Sequence, residues 1–335
     1  MKAYISRPAL LLAWLIAVPG PAQADLTERA EVRAFITDMV TRHHFEENML
    51  RHLFAQVSVR DSIIKAITRP AEAKPWYEYR QIFVRPARIR GGVDFWNKHA
   101  ADLERAEQVY GVPPEVVTAI IGVETRYGRQ TGGYRVMDAL ATLGFDYPPR
   151  GDFFRRELEH YLLLTREEGI DPMSLKGSYA GAMGMGQFIA SSFRAYAVDF
   201  DDDGKRDLWH SVSDAIGSVA HYLSRHGWVR GGPVATRANA SGKAAAALVA
   251  QGIEPRRPLA EFTARGIKPQ ADWPDTELAA LIELEQKDGP EYWLAANNFY
   301  VITRYNHSQL YAMAVYQLAQ AIRREQRAGV ASRAP

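Results

Sequence analysis

The 335-residue chain contains no cysteine. That excludes disulfide frameworks, thiolate metal centres and cysteine nucleophiles, and with them a lipid anchor carried on cysteine. A charge imbalance is missing too. Two of the 41 bases, Lys2 and Arg7, lie in residues 1–24, which hold no acid; 41 less these two equals the 39 acids of the remainder. Bulk charge therefore gives no case for nucleic-acid binding. Extended apolar stretches are scarce, and the one from Ala9 to Val18 is too short to span a bilayer comfortably. It follows Lys2 and Arg7 and precedes Pro19-Gly20-Pro21 and Ala22-Gln23-Ala24, the pattern of a secretory signal peptide cleaved before Asp25. The expectation is a soluble, exported protein. At 47% hydrophobic and 24% charged residues, the composition is that of an ordinary globular chain with a sizeable core.

What the chain does have is helical periodicity. Val32, Phe35, Ile36 and Met39, then Leu50, Leu53 and Phe54, recur at three- and four-residue steps. Residues 70–86 break that rhythm and cluster Trp76, Tyr77, Tyr79 and Phe83 among Arg80 and Arg85, aromatics that either pack a loop or stack on sugar rings. Next comes Ile120-Ile121-Gly122-Val123-Glu124-Thr125-Arg126-Tyr127-Gly128, with Pro113 and Pro114 suited to a first helical turn and Gly128 to the stop. Counting back from Glu124 by three, four and seven gives Ile121, Ile120 and Val117, so the carboxyl shares the apolar stripe. Burial there disfavours the carboxylate and suits the group to donate a proton near neutrality. A structural glutamate paired with Arg126 or Arg129 is the competing reading.

Three later stretches add signal. Lys176 to Phe188 packs glycines at 177, 181, 184 and 186 around Ser178 and Gln187, marking either a close approach of backbone to a ligand or tight helix packing. Asp199, Asp201, Asp203 and Asp207 stand at positions 1, 3, 5 and 9 of an EF-hand-like loop, with Gly204 at 6 and the Lys205 carbonyl at 7. His210 occupies position 12, where a bidentate Glu is usual, and Asp214 is the nearest carboxylate able to close a longer loop. From 231 to 297 the pattern shortens into strand-like pieces at 281–285 and 291–296, separated by Asp288-Gly289, which reads as a small β-rich insertion with a hairpin.

The ordered motifs ETRYG, GSYAGAMGMGQF, YAVDFDDDGKRDLW, DAIGSVAHYL and NFYVITRYNHSQLYAMAVYQL resemble the lytic murein transglycosylase B family, glycoside hydrolase family 103, over nearly the whole mature chain. The resemblance implies a mainly α (α+β) fold. It comprises a signal peptide (1–24), an N-terminal helical subdomain (25–110), a lysozyme-like catalytic core with the calcium loop (111–230), the β-rich insertion (231–297), the end of the core (298–325) and a disordered tail (326–335). It implies cleavage of the MurNAc-β-1,4-GlcNAc bond of peptidoglycan with release of 1,6-anhydro ends, Glu124 acting as acid and then base with help from the 2-acetamido group. Tyr79, Arg150, Ser178, Gln187, Phe188, Tyr222, Tyr305, Asn306 and Tyr311 fall on the family's groove positions, and Asp199, Asp201, Asp203, Lys205, Asp207 and Asp214 on its calcium site. The implied cofactor is structural calcium with no organic group. The implied partners are glycan strands and cell-wall synthesis enzymes, for a periplasmic monomer. A hydrolytic muramidase and a catalytically silent glycan-binding scaffold are the alternatives. Two departures stand out: Ile189-Ala190 where the family often has Met-Pro, and the absent lipid-attachment cysteine.

Overall fold

The computed structural model describes residues 26–69 and 74–331. The signal peptide read at residues 1–24 lies outside the described residues. The chain forms two compact units, the first ending at Val57. In that unit α1 (Ala30–His43) and α2 (Glu47–Ala55) bury the expected stripes, and Phe35 meets Phe54 edge-on at 5.8 Å between ring centroids.

The second unit opens with α3 (Asp61–Ile67), α4 (Trp76–Phe83), α5 (Pro86–Lys98) and α6 (Ala100–Tyr110), which lead to α7 (Pro114–Thr125). Within this unit α5 and α6 pack directly on α7. The Trp76 to Phe83 stretch is helical, not a loop, with Trp76 buried and Tyr77 and Tyr79 half-exposed.

Helix α7 is the axis of this unit. Every residue from Pro114 to Thr125 except Glu124 is buried, so the helix has no wet face, only one half-buried polar position on an otherwise enclosed cylinder. Even Glu115, 6% exposed, is held inside by Arg323 at 3.0 Å. Pro113 caps the start and Pro114 fills the first turn. The end comes before the expected Gly128. Arg126 (φ 51°) and Tyr127 (φ 62°) both turn left-handed, a conformation costing about 1 kcal/mol or more per non-glycine residue. Tyr127 offsets that cost. Its hydroxyl donates to the Arg88 carbonyl at 2.7 Å, and its ring lies where a Cβ on Gly122 would sit, 2.6 Å away, so only glycine fits there.

Beyond α7, β1 (Tyr134–Arg135) pairs antiparallel with β2 (Lys176–Gly177), flanking α8 (Val136–Asp146) and α9 (Gly151–Glu167). The glycine-rich stretch is a folded-back loop and not the start of a helix. Met183 and Phe188 exchange backbone hydrogen bonds at 2.8 and 2.9 Å, and Met185 N–H reaches the Leu208 carbonyl. At Gly184 (φ 67°) a Cβ would come within 2.4 Å of that same Leu208 carbonyl, so backbone packing on backbone demands glycine. Helices α10 (Ala190–Tyr196) and α11 (Val212–Arg225) bracket the acidic loop.

A five-stranded antiparallel sheet follows, with β3 (Ala235–Asn239), β4 (Arg257–Pro258), β5 (Lys268–Pro269), β6 (Leu278–Gln286) and β7 (Gly289–Ala295) in the order β4-β6-β7-β3-β5. Its hairpin turns at Lys287-Asp288, and Gly289, at φ 120°, is already paired with Gln286. Helices α12 (Gly242–Val249) and α13 (Leu259–Thr263) cover one face through Leu248, Leu259, Phe262 and Leu281. The chain closes with α14 (Asn297–Tyr305) and α15 (Gln309–Ala331), the latter packed on α7, α5 and α4. Within the tail expected from 326, α15 continues as far as Ala331, carried on from a helix anchored by its buried N-terminal half in spite of Gly329.

Asp138, fully buried at the start of α8, accepts from Ser58 N–H (3.0 Å) and pairs with Arg60 (3.2 Å) and Arg135 (2.9 Å), tying the chain before α3 to α8. Removing it leaves a backbone N–H and two guanidinium groups without their acceptor. Asp138→Ala should cost about 2–4 kcal/mol in urea denaturation, while Asp152→Ala, at an exposed acid paired with Arg155, should stay within about 0.5 kcal/mol of wild type. Equal effects of the two substitutions would contradict this assignment.

Candidate active site

Glu124 sits in the last turn of α7, half-buried, where the helix's apolar packing leaves it few polar neighbours. Tyr311, 2% exposed in the first turn of α15, donates its hydroxyl to Glu124 Oε1 at 2.6 Å. Among the described residues no Lys or Arg forms an ion pair with Glu124, and the pairing with Arg126 or Arg129 weighed above is not made. Burial pushes the carboxyl up to about 7, against the pull of the Tyr311 hydrogen bond, which favours the ionised form. The group is thus divided between acid and carboxylate near neutrality.

An aromatic wall continues from Tyr311. Tyr305 lies nearly parallel to it, 6.5 Å between centroids at 6°, and donates its hydroxyl to the Gly186 carbonyl. Phe188 and Tyr222 meet Tyr305 at 5.9 and 4.9 Å, and the Tyr222 hydroxyl donates to the Arg304 carbonyl at 2.6 Å. Burial, then the neighbouring Glu124 charge, holds the phenols of Tyr305 and Tyr311 well above the usual range, so both remain hydrogen-bond donors. Tyr79 is close enough to Tyr311 to add to that effect. The fold therefore gathers Glu124, Tyr79, Phe188, Tyr222, Tyr305 and Tyr311 in one place from five helices and the glycine-rich loop.

The polar positions are placed differently. Gln187, in a left-handed turn (φ 52°), donates from Nε2 to the carbonyls of Thr131 (3.1 Å) and Gly184 (3.0 Å), while its Oε1 takes no hydrogen bond among the described residues. Ser178 Oγ accepts from the N–H groups of Ala180 and Ala182, shaping the glycine-rich loop. Asn306 is exposed just after α14. Arg150 is exposed and stacks on Phe153, 4.4 Å from the ring centroid, with no contact joining it to the Glu124 group. No second carboxylate pairs with Glu124 among the described residues, neither Asp138, Asp146 nor Asp152.

Sequence reasoning missed the residues that hold Glu124 in place. Thr125 Oγ1 donates to the Met185 carbonyl at 2.8 Å and accepts from Gly128 N–H at 3.0 Å, locking the end of α7 to the glycine-rich loop. Arg88, 6% exposed, donates to the Gly122 carbonyl in that same turn. Thr125 was legible as a helix-terminal hydroxyl beside the acid, but nothing local in the Arg88 region marks that arginine as internal.

In the acidic loop the carboxylates of Asp199, Asp201 and Asp203 bring one oxygen each within 4.8 Å of one another, a set of hard donors suited to calcium. Left-handed Asp202 (φ 60°) and Gly204 (φ 87°) make the turn that gathers them. Asp207 and Asp214 lie outside this group. Asp207 accepts from the N–H groups of Trp209 and His210, and fully buried Asp214 accepts from Phe200 N–H (2.7 Å) and Asp207 N–H (2.8 Å), bracing the two ends of the loop. His210, at position 12, turns to Asp207 at 2.9 Å, and Lys205 N–H donates to Asp203 Oδ1. The residues present fit a hard cation through the three clustered aspartates, with Asp214 as a brace.

Comparison with known proteins gives this arrangement its family. The model of the transglycosylase SLT domain matches residues 27–320. The chain is 45% identical over 308 residues to the membrane-bound lytic murein transglycosylase B of Escherichia coli, covering 89% of this chain and 84% of that one. Among solved structures, the soluble lytic transglycosylase SltB1 of Pseudomonas aeruginosa is 54% identical, with a TM-score of 0.84 over 88% of this chain and 99% of the other. The Escherichia coli lytic transglycosylase Slt35 in complex with calcium is 44% identical, with a TM-score of 0.81 over 90% and 95%. The chain belongs to the lytic transglycosylase family defined by the SLT domain, and is an enzyme of that family acting on peptidoglycan.

Proposed function

We propose that this lytic transglycosylase cleaves the MurNAc-β-1,4-GlcNAc bond with formation of 1,6-anhydro-MurNAc ends, and that Glu124 is its one acid and base. The observation carrying this reading is a half-buried carboxyl, raised by burial, with a phenol as its hydrogen-bond partner and, among the described residues, no second carboxylate paired with it. In the acid form Glu124 gives its proton to the glycosidic oxygen as the C1–O bond breaks and the 2-acetamido oxygen closes on C1. The carboxylate left behind then takes the proton of the 6-hydroxyl as O6 displaces the acetamido oxygen from C1, returning Glu124 to its starting form. Tyr311 steadies the carboxylate between the two halves. The phenol and phenyl faces of Tyr79, Tyr222, Tyr305 and Phe188 suit stacking on sugar rings. Gln187 Oε1 and Ser178 suit sugar hydroxyls, Asn306 and Arg150 a more distant part of the glycan or its peptide.

We also assign calcium to Asp199, Asp201 and Asp203, supported by their clustered oxygens and by the calcium complex of the Escherichia coli relative. Its role is to neutralise the acidic turn between α10 and α11. The leader pattern and the lack of cysteine support a soluble periplasmic location. No described helix is long and apolar enough to cross a membrane. Glycan strands are the partner this reading names; cell-wall synthesis enzymes remain the wider expectation from the family.

Glu124→Gln should abolish release of anhydro ends from purified murein, read by mass spectrometry, while leaving the protein folded. Because burial raises the folded-state pKa from 4.5 to about 7, ionising Glu124 destabilises the fold as pH rises through that window. The variant should therefore gain stability over wild type, by about 1–3 kcal/mol at pH 8 and little at pH 5. In Tyr311→Phe, loss of the hydrogen bond should move the alkaline limb of the pH–rate profile upward and lower kcat; an unmoved limb contradicts the pairing. Reducing, non-anhydro products from wild type would mark a hydrolase instead. Calcium should raise the melting temperature and chelator reverse it, with the response lost in Asp203→Ala. Melting indifferent to calcium removes the metal assignment.

A further inference from the structure

We propose that a small cavity of about 170 Å³ beside the C-terminal end of α7, lined by Arg85, Arg88, Arg126 and Arg129 around Gly91 and Tyr127, is a binding site for a phosphate-type anion. Neither Glu124 nor Tyr311 lines it. Among the described residues none of the four guanidinium groups is paired with a carboxylate. Arg88 is the built part of the site: it is 6% exposed, and its hydrogen bond within the protein goes to the Gly122 carbonyl, which occupies one of five N–H donors.

A buried cation among like charges is costly without a counter-ion. Burial, and then the charges of Arg126 and Arg85, lower the Arg88 pKa, although the nearby Tyr127 acts in the opposite sense. Capping of α7 accounts for Arg88 alone. It leaves Arg85, Arg126 and Arg129 converging on the same space with nothing to attract them there. The left-handed turn at Arg126 and Tyr127 is what aims Arg126 and Arg129 into it. An adjoining cavity of about 310 Å³ shares Gly91, Tyr127 and Arg129 and adds Lys98 and His99, with Asp94 as its acid. Planar guanidinium forks match the oxygens of a phosphate bidentately, and the smaller space admits a phosphate group. The same chemistry is carried by free phosphate and by a phospholipid headgroup.

The test is calorimetric titration of the full chain with inorganic phosphate at constant ionic strength, chloride as reference, beside an Arg126→Ala/Arg129→Ala double variant and an Arg85→Ala variant. All three positions are exposed, so the variants should fold. Wild type should bind phosphate in preference to chloride, and each lost arginine should weaken binding by about tenfold. Binding no better than chloride, or equal in wild type and double variant, overturns the site. Cosedimentation with vesicles of phosphatidylglycerol in phosphatidylcholine separates the sources. Arginine-dependent sedimentation competed by phosphate identifies the headgroup. Arginine-dependent phosphate binding without sedimentation identifies the free anion. The readout is binding and does not depend on the catalytic reading of Glu124.

Discussion

The desolvation of one carboxyl at the end of a buried helix is the constraint on which the rest of the structure turns. α7 is enclosed on all sides, and Glu124 is the position where that enclosure opens. An apolar helix alone would place the acid without fixing it. Thr125, Arg88 and Tyr127 fix the terminal turn by three hydrogen bonds, two of them through Arg88, and α15 delivers Tyr311 to Glu124 across 187 residues of chain. The charged form is made costly by burial and then partly restored by one phenol, a balance suited to a group that must give a proton and take one back.

The same economy governs the surroundings. Glycines at 122 and 184 are required because a ring and a carbonyl occupy the places their Cβ atoms would take. Through Gly186 and Met185 the glycine-rich loop reaches both the tyrosine wall and the end of α7, so loop, wall and acid form one hydrogen-bonded unit. Asp214 does for the acidic loop what Thr125 does for the acid: it is a buried acceptor that fixes two backbone segments so that exposed side chains can converge.

Much of this was legible in the sequence where a local rule decides. Helical stripes, the proline start of α7, the acidic spacing of 199–207 and the hairpin near Asp288 follow from periodicity and turn chemistry. Glu124 was legible because its apolar neighbours recur at helical steps. What escaped is what tertiary packing decides. The stop at Thr125 is set by Tyr127 filling space above Gly122 and not by Gly128; the aromatics at 76–83 form a helix because α15 receives them; and Asp214 turns inward because backbone N–H groups claim its oxygens. Arg150 and Asn306 matched family motifs, but the contacts of the Glu124 group do not include them.

Burial, against the opposing pull of the Tyr311 hydrogen bond, keeps a large share of Glu124 protonated near neutral pH in the resting enzyme. The most direct test is a carbon-13 NMR titration of the side-chain carboxyl, assigned by comparison with Glu124→Gln. The expected midpoint is about 7, well above the ordinary 4.5. A Glu124 resonance titrating near 4.5 would show a solvated carboxylate and contradict it.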